Sequence, residues 1–591
     1  MTRGRSWTRP SFPTVVSDLS SIFRRLVGLE TEYAMRFQPA DSFAPPPPKF
    51  QLFRSVLQAL RLRVLTVRAK HFKEGVFAAT GGAVWFETER IASGGGLVEG
   101  STPECRGARQ VVAYQRAQDN LLAAAAEDAL LDGQLRLIKN CRDSQDNVYG
   151  AQENYEATLA TGWRLWAWRF GLTLLLPVAA LTWLCMLLLI LAVFIYLAVA
   201  GLVYLPIRLF VRRRHHIALA LFGRDLLEGR ETGMPLPAWL EWTLLWGTRL
   251  VSVPLAVGLL VLVRYTAFSQ TRRQLLALLV SRSILAGSGT IDSQCRFYLA
   301  EKAQAVNSVV GLGGFLWDRP IYNFGHFFKA ATIESFLGPK DYAVLFRKRQ
   351  RLQIGLGDSN MAEVAEFLRV GTTLLALDAI EAGYIHDAPI LRKPIRALHH
   401  FNRDPKLQAS SKLRGGQRMT AVEIQQFYAN ACRRFLEEHP DAPVEAHEVL
   451  RLWDTTLEAL GKSSESLVGS IDWITKRFLL DEAGANATWE ERKKIDIRYH
   501  ELSPEGYFRI LHKTGVAESV VAPGDIERAM RLAPPDSPAT SRGHYIREFA
   551  ESDQPLAVNW KQIVIGQGRS AKVIRLDRSE SPGHNKPTVA V

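Results

Sequence analysis

Between Phe170 and Ile207 the chain runs for 38 residues without Asp, Glu, Lys, Arg or His. About 20 apolar residues already cross a hydrocarbon layer as a helix, and a buried helix of a soluble protein is seldom so long. A second apolar stretch, Trp242–Val263, carries one charge, Arg249. Seven of the 14 tryptophans (Trp163, Trp166, Trp168, Trp183, Trp239, Trp242 and Trp246) fall in this interval. Tryptophan collected near the ends of apolar runs is what a membrane interface selects. Residues 164–268 therefore read as a membrane insert, with helices at about 176–203 and 242–263.

The remainder must then fold around that insert. At 591 residues the chain exceeds the ~250–300 at which a single core stops growing, so at least two domains are expected. A net charge of +14 raises a nucleic-acid reading, but the basic residues are scattered. Their densest cluster, Arg212-Arg213-Arg214-His215-His216, directly follows the apolar run. Basic residues there flank a membrane and contact anionic lipid, so no nucleic-acid partner is expected. Cys105, Cys141, Cys185, Cys295 and Cys432 have neither disulfide nor metal spacing, which fits a reducing compartment. The first twenty residues are polar, with no apolar core of a secretory signal.

The core opens with Gly28-Leu29-Glu30-Thr31-Glu32-Tyr33. In a strand, alternate residues share a face and advance ~6.6 Å per pair, which puts Glu30 and Glu32 together. Paired carboxylates repel and need a cation between them when buried, and magnesium prefers such oxygen donors. Taken alone, six residues read better as a solvated strand face. Further on, Phe50–Val67 has helical spacing, Gly81–Glu87 turns into a strand ending in an acid, and Ala108–Leu135 is helical. Gly94-Gly95-Gly96 marks a loop with no following P-loop lysine. Thr420 with Glu423 forms a capping-box spacing that opens a helix to Leu436.

Several separated motifs carry a family resemblance. Gly28–Tyr33, Ser101-Thr-Pro-Glu-Cys105, Leu137–Tyr155 with its Gln152-Glu-Asn-Tyr155, Gly357-Asp-Ser-Asn-Met361 and Ile471–Arg477 stand in one order from about Leu26 to Val564. Together they resemble the Pup ligase and depupylase family. The resemblance implies an α+β fold: a glutamine-synthetase-like antiparallel sheet with helices, a small C-terminal domain and, here, an inserted transmembrane segment. The expected division is a tail 1–22, catalytic domain 23–163 and 269–500 around the insert 164–268, small domain 501–566, and tail 567–591. Motifs on both sides of the insert belong to one site, so it crosses the bilayer an even number of times. Either the two helices each cross, or a hairpin within 170–207 does so while 242–263 lies in the interface. The second arrangement keeps every arginine cytoplasmic. The expected location is the cytoplasmic membrane of a bacterium, in lipid contact, with the catalytic domain and both chain ends inside.

The resemblance also implies chemistry. ATP would phosphorylate the C-terminal glutamate of a small Pup-like modifier, and a substrate lysine would attack the acyl phosphate. Sister enzymes hydrolyse that isopeptide bond or deamidate a C-terminal glutamine. By motif position, Glu30, Glu32 and Glu99 are the expected metal acids for Mg2+, Glu87 the catalytic base, and Asp358 and Asn360 the cofactor-binding pair for ATP. Partners would be the modifier, substrate proteins through lysine, and the proteasome system. Three positions depart from the pattern: Glu87 replaces an aspartate, and Gln152 and Gln353 replace histidines. An amide cannot titrate and is a poorer metal ligand than imidazole. The opening motif and the short interval from Tyr33 to Glu87 lean toward the ligase. The alternatives are a depupylase or deamidase, and a membrane-tethered nucleotide-binding module without catalysis.

Overall fold

In the computed structural model, residues 22–576 are described apart from 71–72, 89–94, 143–147, 212–213, 224–236, 317 and 569–570. Most of the expected tails 1–22 and 567–591, part of the glycine loop, and Arg212 and Arg213 of the basic cluster lie outside them.

The organising strand is β1, Leu26–Pro39, and its alternation is the expected one: Leu29, Thr31, Tyr33 and Met35 are buried on one face, while Glu30 and Glu32 stand half-buried on the other. Its long ladder serves neighbours on both edges. On one side it pairs antiparallel with β5 (Leu97–Ser101) and β6 (Cys105–Arg106), on the other with β7 (Gly133–Ile138) and β8 (Ala151–Thr158). The sheet continues through β4 (Ala83–Glu87), β3 (Gly75–Ala78) and β2 (Thr66–Arg68) at one edge. At the other it continues through β13 (Arg349–Ile354), β12 (Pro320–Asn323) and β11 (Ser308–Gly311). The expected all-antiparallel sheet needs one correction, since β11 and β12 are parallel. The expected helix over Phe50–Val67 is also shorter, because α1 (Lys49–Arg61) ends there and Thr66 already starts β2. β-branched Thr66 and Val67 favour the ladder over another helical turn.

Helices cover the buried face. The helix α2 (Ala108–Glu127) packs behind β1, where the Tyr33 hydroxyl donates to Asp119 (2.7 Å). The helix Glu363–Glu381 is buried over nearly its whole length, so its charges need partners inside. Arg369 pairs with Glu366, and Arg25 from the start of β1 pairs with Asp378 (2.5 Å). Glu153 of β8 takes Arg282 (2.5 Å), with both side chains almost fully enclosed. The Thr420–Glu423 capping box forms as expected, opening the helix Ala421–Glu437.

The insert departs from this pattern. The helix α3 runs unbroken from Gly162 to Phe210, so a hairpin inside 170–207 does not form. A short α4 (Arg214–Phe222) folds back on its far end, where Tyr196 donates to the Leu221 carbonyl (3.1 Å). The helix α5 (Ala238–Tyr265) returns antiparallel, with Gly258 packed against the Leu175 side chain and Gly171 against that of Leu262, small residues that bring the two helices close. Both helices are long and apolar enough to cross a membrane, and 11% of the most apolar window of α3 is buried. The two ends of the insert meet, since the Phe268 N–H donates to the Leu159 carbonyl (2.6 Å).

Near the C-terminus, β16 (Leu556–Val558), β17 (Gln562–Ile565) and β18 (Lys572–Arg575) form a small antiparallel sheet. The expected tail from 567 is thus corrected in part: Val573 and Ile574 carry apolar surface into the ladder with β17.

Candidate active site

The register of β1, β5 and β4 assembles the acids. Glu32 lies opposite Glu99 across β1 and β5, Glu99 lies opposite Trp85, and Glu87 ends β4 two residues beyond Trp85. All four expected acids, Glu30, Glu32, Glu87 and Glu99, line one open cleft of about 3930 Å³.

Within it the acids divide. Lys73, on the turn before β3, places its ammonium against Glu87 and 2.6 Å from Glu99. Glu32 instead accepts the N–H of Gly150. Glu30 faces Asn154 (3.2 Å), Arg351 (3.4 Å) and Gln353 (3.4 Å). The two replacement amides touch each other, with Gln353 donating to Gln152. Among the described residues, no three acid, histidine or cysteine side chains are gathered closely enough to hold a metal as they stand. The donor set nonetheless fits a hard divalent ion in kind: carboxylates on neighbouring strands, facing one cleft. In this structure ammonium and guanidinium groups supply the positive charge instead.

The electrostatics follow from that arrangement. Burial raises the Glu32 carboxyl above its ordinary range, and the nearby Glu99 carboxylate adds to the shift. Burial pushes Glu99 upward as well, but the Lys73 ammonium outweighs it and holds that carboxyl low. Glu87 is raised to about 7, chiefly by burial, with Glu99 and Glu32 adding repulsion against the pull of Lys73. An acid poised there accepts and returns protons at neutral pH. Lys302, whose ammonium donates to the Ala151 carbonyl (3.0 Å) and feels Glu32, adds a second cation at the floor of the cleft.

Asp358 and Asn360 lie elsewhere. The Asp358 carboxylate accepts four bonds, from Ser288 N and Oγ (both 2.9 Å), Glu301 N (2.8 Å) and Lys302 N (2.9 Å). Asn360 donates to Asp472 (2.8 Å) and to the Ala286 carbonyl (3.1 Å). Both side chains are buried and neither lines the cleft. As placed they tie down the backbone under the site: Asp358 Oδ2 takes three of the four bonds and Oδ1 one, while the buried Asn360 Oδ1 has no hydrogen-bond partner among the described residues.

Among the cleft residues that escaped the sequence reading are Lys73 and Trp560. Lys73 has no motif to mark it. Trp560 reaches the cleft from the small sheet with Arg542 stacked 4.5 Å from its ring centroid. Only its place just before β17 could have suggested it.

Comparison with known proteins bears on the whole chain. The Pup–protein ligase of Corynebacterium aurimucosum is 24% identical over 573 residues, covering 93% of this chain and 92% of that protein. A depupylase of Acidothermus cellulolyticus is 29% identical over 313 residues, 51% of this chain and 59% of its own length. Among solved structures, the ligase PafA in complex with the prokaryotic ubiquitin-like protein Pup superposes with a TM-score of 0.64 at 20% identity, covering 95% of this chain and 91% of that one. PafA in complex with ADP gives 0.57 at 19% identity. These likenesses establish the fold. The model of the Pup-ligase protein family matches residues 25–564, across the insert and into the small sheet, and the chain belongs to that family.

Proposed function

We propose that this chain is an ATP-dependent ligase, anchored in a membrane, that joins the C-terminal glutamate of a Pup-like modifier to substrate lysines. The observation that carries the reading is the meeting of Glu87, Glu99 and Glu32 in one cleft, on the fold of enzymes that perform this joining. Glu30, Glu32 and Glu99 are the residues that would hold Mg2+. Bound there, it would neutralise the triphosphate and so favour phosphoryl transfer to the modifier's carboxylate.

The chain's own groups do the rest. A lysine amine with a pKa of ~10.4 is protonated at neutral pH and must lose a proton before it attacks. Glu87, a third exposed at the end of its strand, accepts that proton. Lys73 keeps Glu99 ionised and balances the acid cluster until substrate arrives. Asp358 fixes the backbone of Glu301 and Lys302, which directs the Lys302 ammonium toward Glu32. Asn360 locks the neighbouring turn to Asp472. Both thus serve nucleotide binding from beneath the cleft. The exposed apolar face of α3 supports the anchor, because unpaired leucines over that length need a lipid surround.

The test is conjugate formation by purified full-length protein in detergent, with ATP, magnesium and a modifier ending in glutamate. Release from a preformed conjugate is followed in parallel. Joining without release supports the ligase. Release alone supports the depupylase reading, which the likeness to the Acidothermus enzyme favours. ATP binding with neither reaction supports a tethered recruitment module.

A further inference from the structure

The insert forms part of the cleft. The Trp168 indole donates to the Leu345 carbonyl (2.7 Å), Trp183 to Ala331 (3.0 Å), and the Tyr342 hydroxyl to Leu172 on α3 (2.7 Å). Residues 325–345 are thereby fastened to α3 on one side. On the other side the same segment faces the cleft through His326, Lys329 and Glu334. Met186 of α3, and Leu245, Arg249 and Ser252 of α5, line that cleft directly. Ile333 and Leu337 on this segment are exposed beside Lys329 and Lys340, the mixture that settles at a lipid surface.

The distance is set by the sheet. Gln152 of β8 lies opposite Glu30, and Thr158 lies opposite Arg349 of β13. Six strand residues therefore carry the chain ~20 Å from the acids to the foot of the insert, and α3 begins at Gly162. Met186, Leu245, Arg249 and Ser252 thus give the insert one wall of the cleft that also holds Glu87.

We infer that the acceptors are membrane-resident polypeptides whose lysines lie close to the lipid surface. Lysines of freely soluble proteins are poor acceptors. The inference rests on the ligase and membrane readings above. The bond formed joins the lysine nitrogen to the side-chain carbonyl carbon of the modifier's glutamate. Inorganic phosphate leaves, and the amine proton passes to Glu87.

The experiment uses the full chain reconstituted in vesicles of phosphatidylcholine and phosphatidylglycerol. Acceptors are single-span peptides carrying one lysine about eight or about forty residues from the membrane boundary on a Gly/Ser tether, and the same sequence without the span. Hydroxylamine serves as a diffusible nucleophile that traps the activated modifier as a hydroxamate wherever acceptors lie. The near lysine should react about tenfold faster than the far one, as effective concentration falls with the −3/2 power of tether length. It should exceed the soluble peptide by more. Equal rates for near, far and soluble lysines, with hydroxamate forming normally, overturn the inference alone. Absence of hydroxamate removes the ligase reading, and failure of the protein to float with vesicles removes the membrane reading. Either result takes this inference with it. Trp183→Phe keeps the ring and deletes the bond to Ala331. It should narrow the near-to-far ratio while hydroxamate formation stays unchanged, and an unaltered ratio counts against the wall as the selecting element.

Discussion

The acid-lined face of β1, β4 and β5 and the apolar pair α3 and α5 satisfy opposite accounting rules. On the sheet every described charge has an answer: Lys73 for Glu87 and Glu99, Arg351 for Glu30, the Gly150 N–H for Glu32. On α3 the backbone bonds are internal, while Leu174, Leu181, Phe194 and Leu202 each stay more than 60% exposed. The first region is complete and awaits a change of partner. The second closes its backbone within helices and leaves apolar side chains exposed, the arrangement that a span in lipid would need.

The largest effect that tests the contrast is chemical. Glu87→Gln should leave ATP binding intact and lower conjugation by ~10²–10⁴-fold, because shape is kept and proton acceptance is lost. Glu87→Asp should retain partial activity, and the gel-shift assay that scores conjugates reads both. Next comes the anchor. Replacing the exposed Leu184, Leu188 and Leu191 with aspartate should release the protein from carbonate-washed membranes, at ~2.5–3.5 kcal/mol per acid near a helix centre. Hydroxamate formation in the released protein should persist, and its loss would show that the two regions are not separable. A smaller effect separates the acids themselves. Magnesium-dependent ATP binding should weaken in Glu99→Ala and in Glu30→Ala, whereas Lys73→Met should tighten it by removing a competing ammonium. Unchanged affinity in all three would end the assignment of these acids to metal.

The smallest effect is one of pH and belongs to the core beneath the sheet. Burial raises the Glu301 carboxyl to about 7, opposed by Lys476 and reinforced by Asp496 and Asp358. The folded state therefore holds this proton more tightly than the unfolded state does. The stability it contributes is full below pH ~4.5 and is lost as pH rises through about 7. Thermal midpoints of Glu301→Gln and the parent should accordingly draw apart between pH 5 and 8, with the variant losing less. Parallel curves would place that proton elsewhere.

What the sequence made legible was whatever local repetition can encode. The alternation at Leu29–Tyr33 set the faces of β1, the uncharged run marked α3, and Thr420 with Glu423 marked a helix start. Each signal sits within a few residues of its effect. Lys73 was invisible because its meaning comes from the β3–β4 turn, which returns it to acids 14 and 26 residues away. Asp358 and Asn360 were placed by the family motif alone, and sequence could not say that four donors already surround Asp358. The parallel pairing of β11 and β12 and the strand β18 depend likewise on neighbours distant in the chain.

The bond from Phe268 to Leu159 bears on how such a chain could arise. Where an insert enters and leaves at neighbouring points, its host needs no rerouting. A single in-frame acquisition between two codons would graft α3 to α5 onto an ancestor lacking them, and a single loss would reverse it. The host's strand order would be untouched by either event, and the matching tryptophans could accumulate afterwards, one substitution at a time.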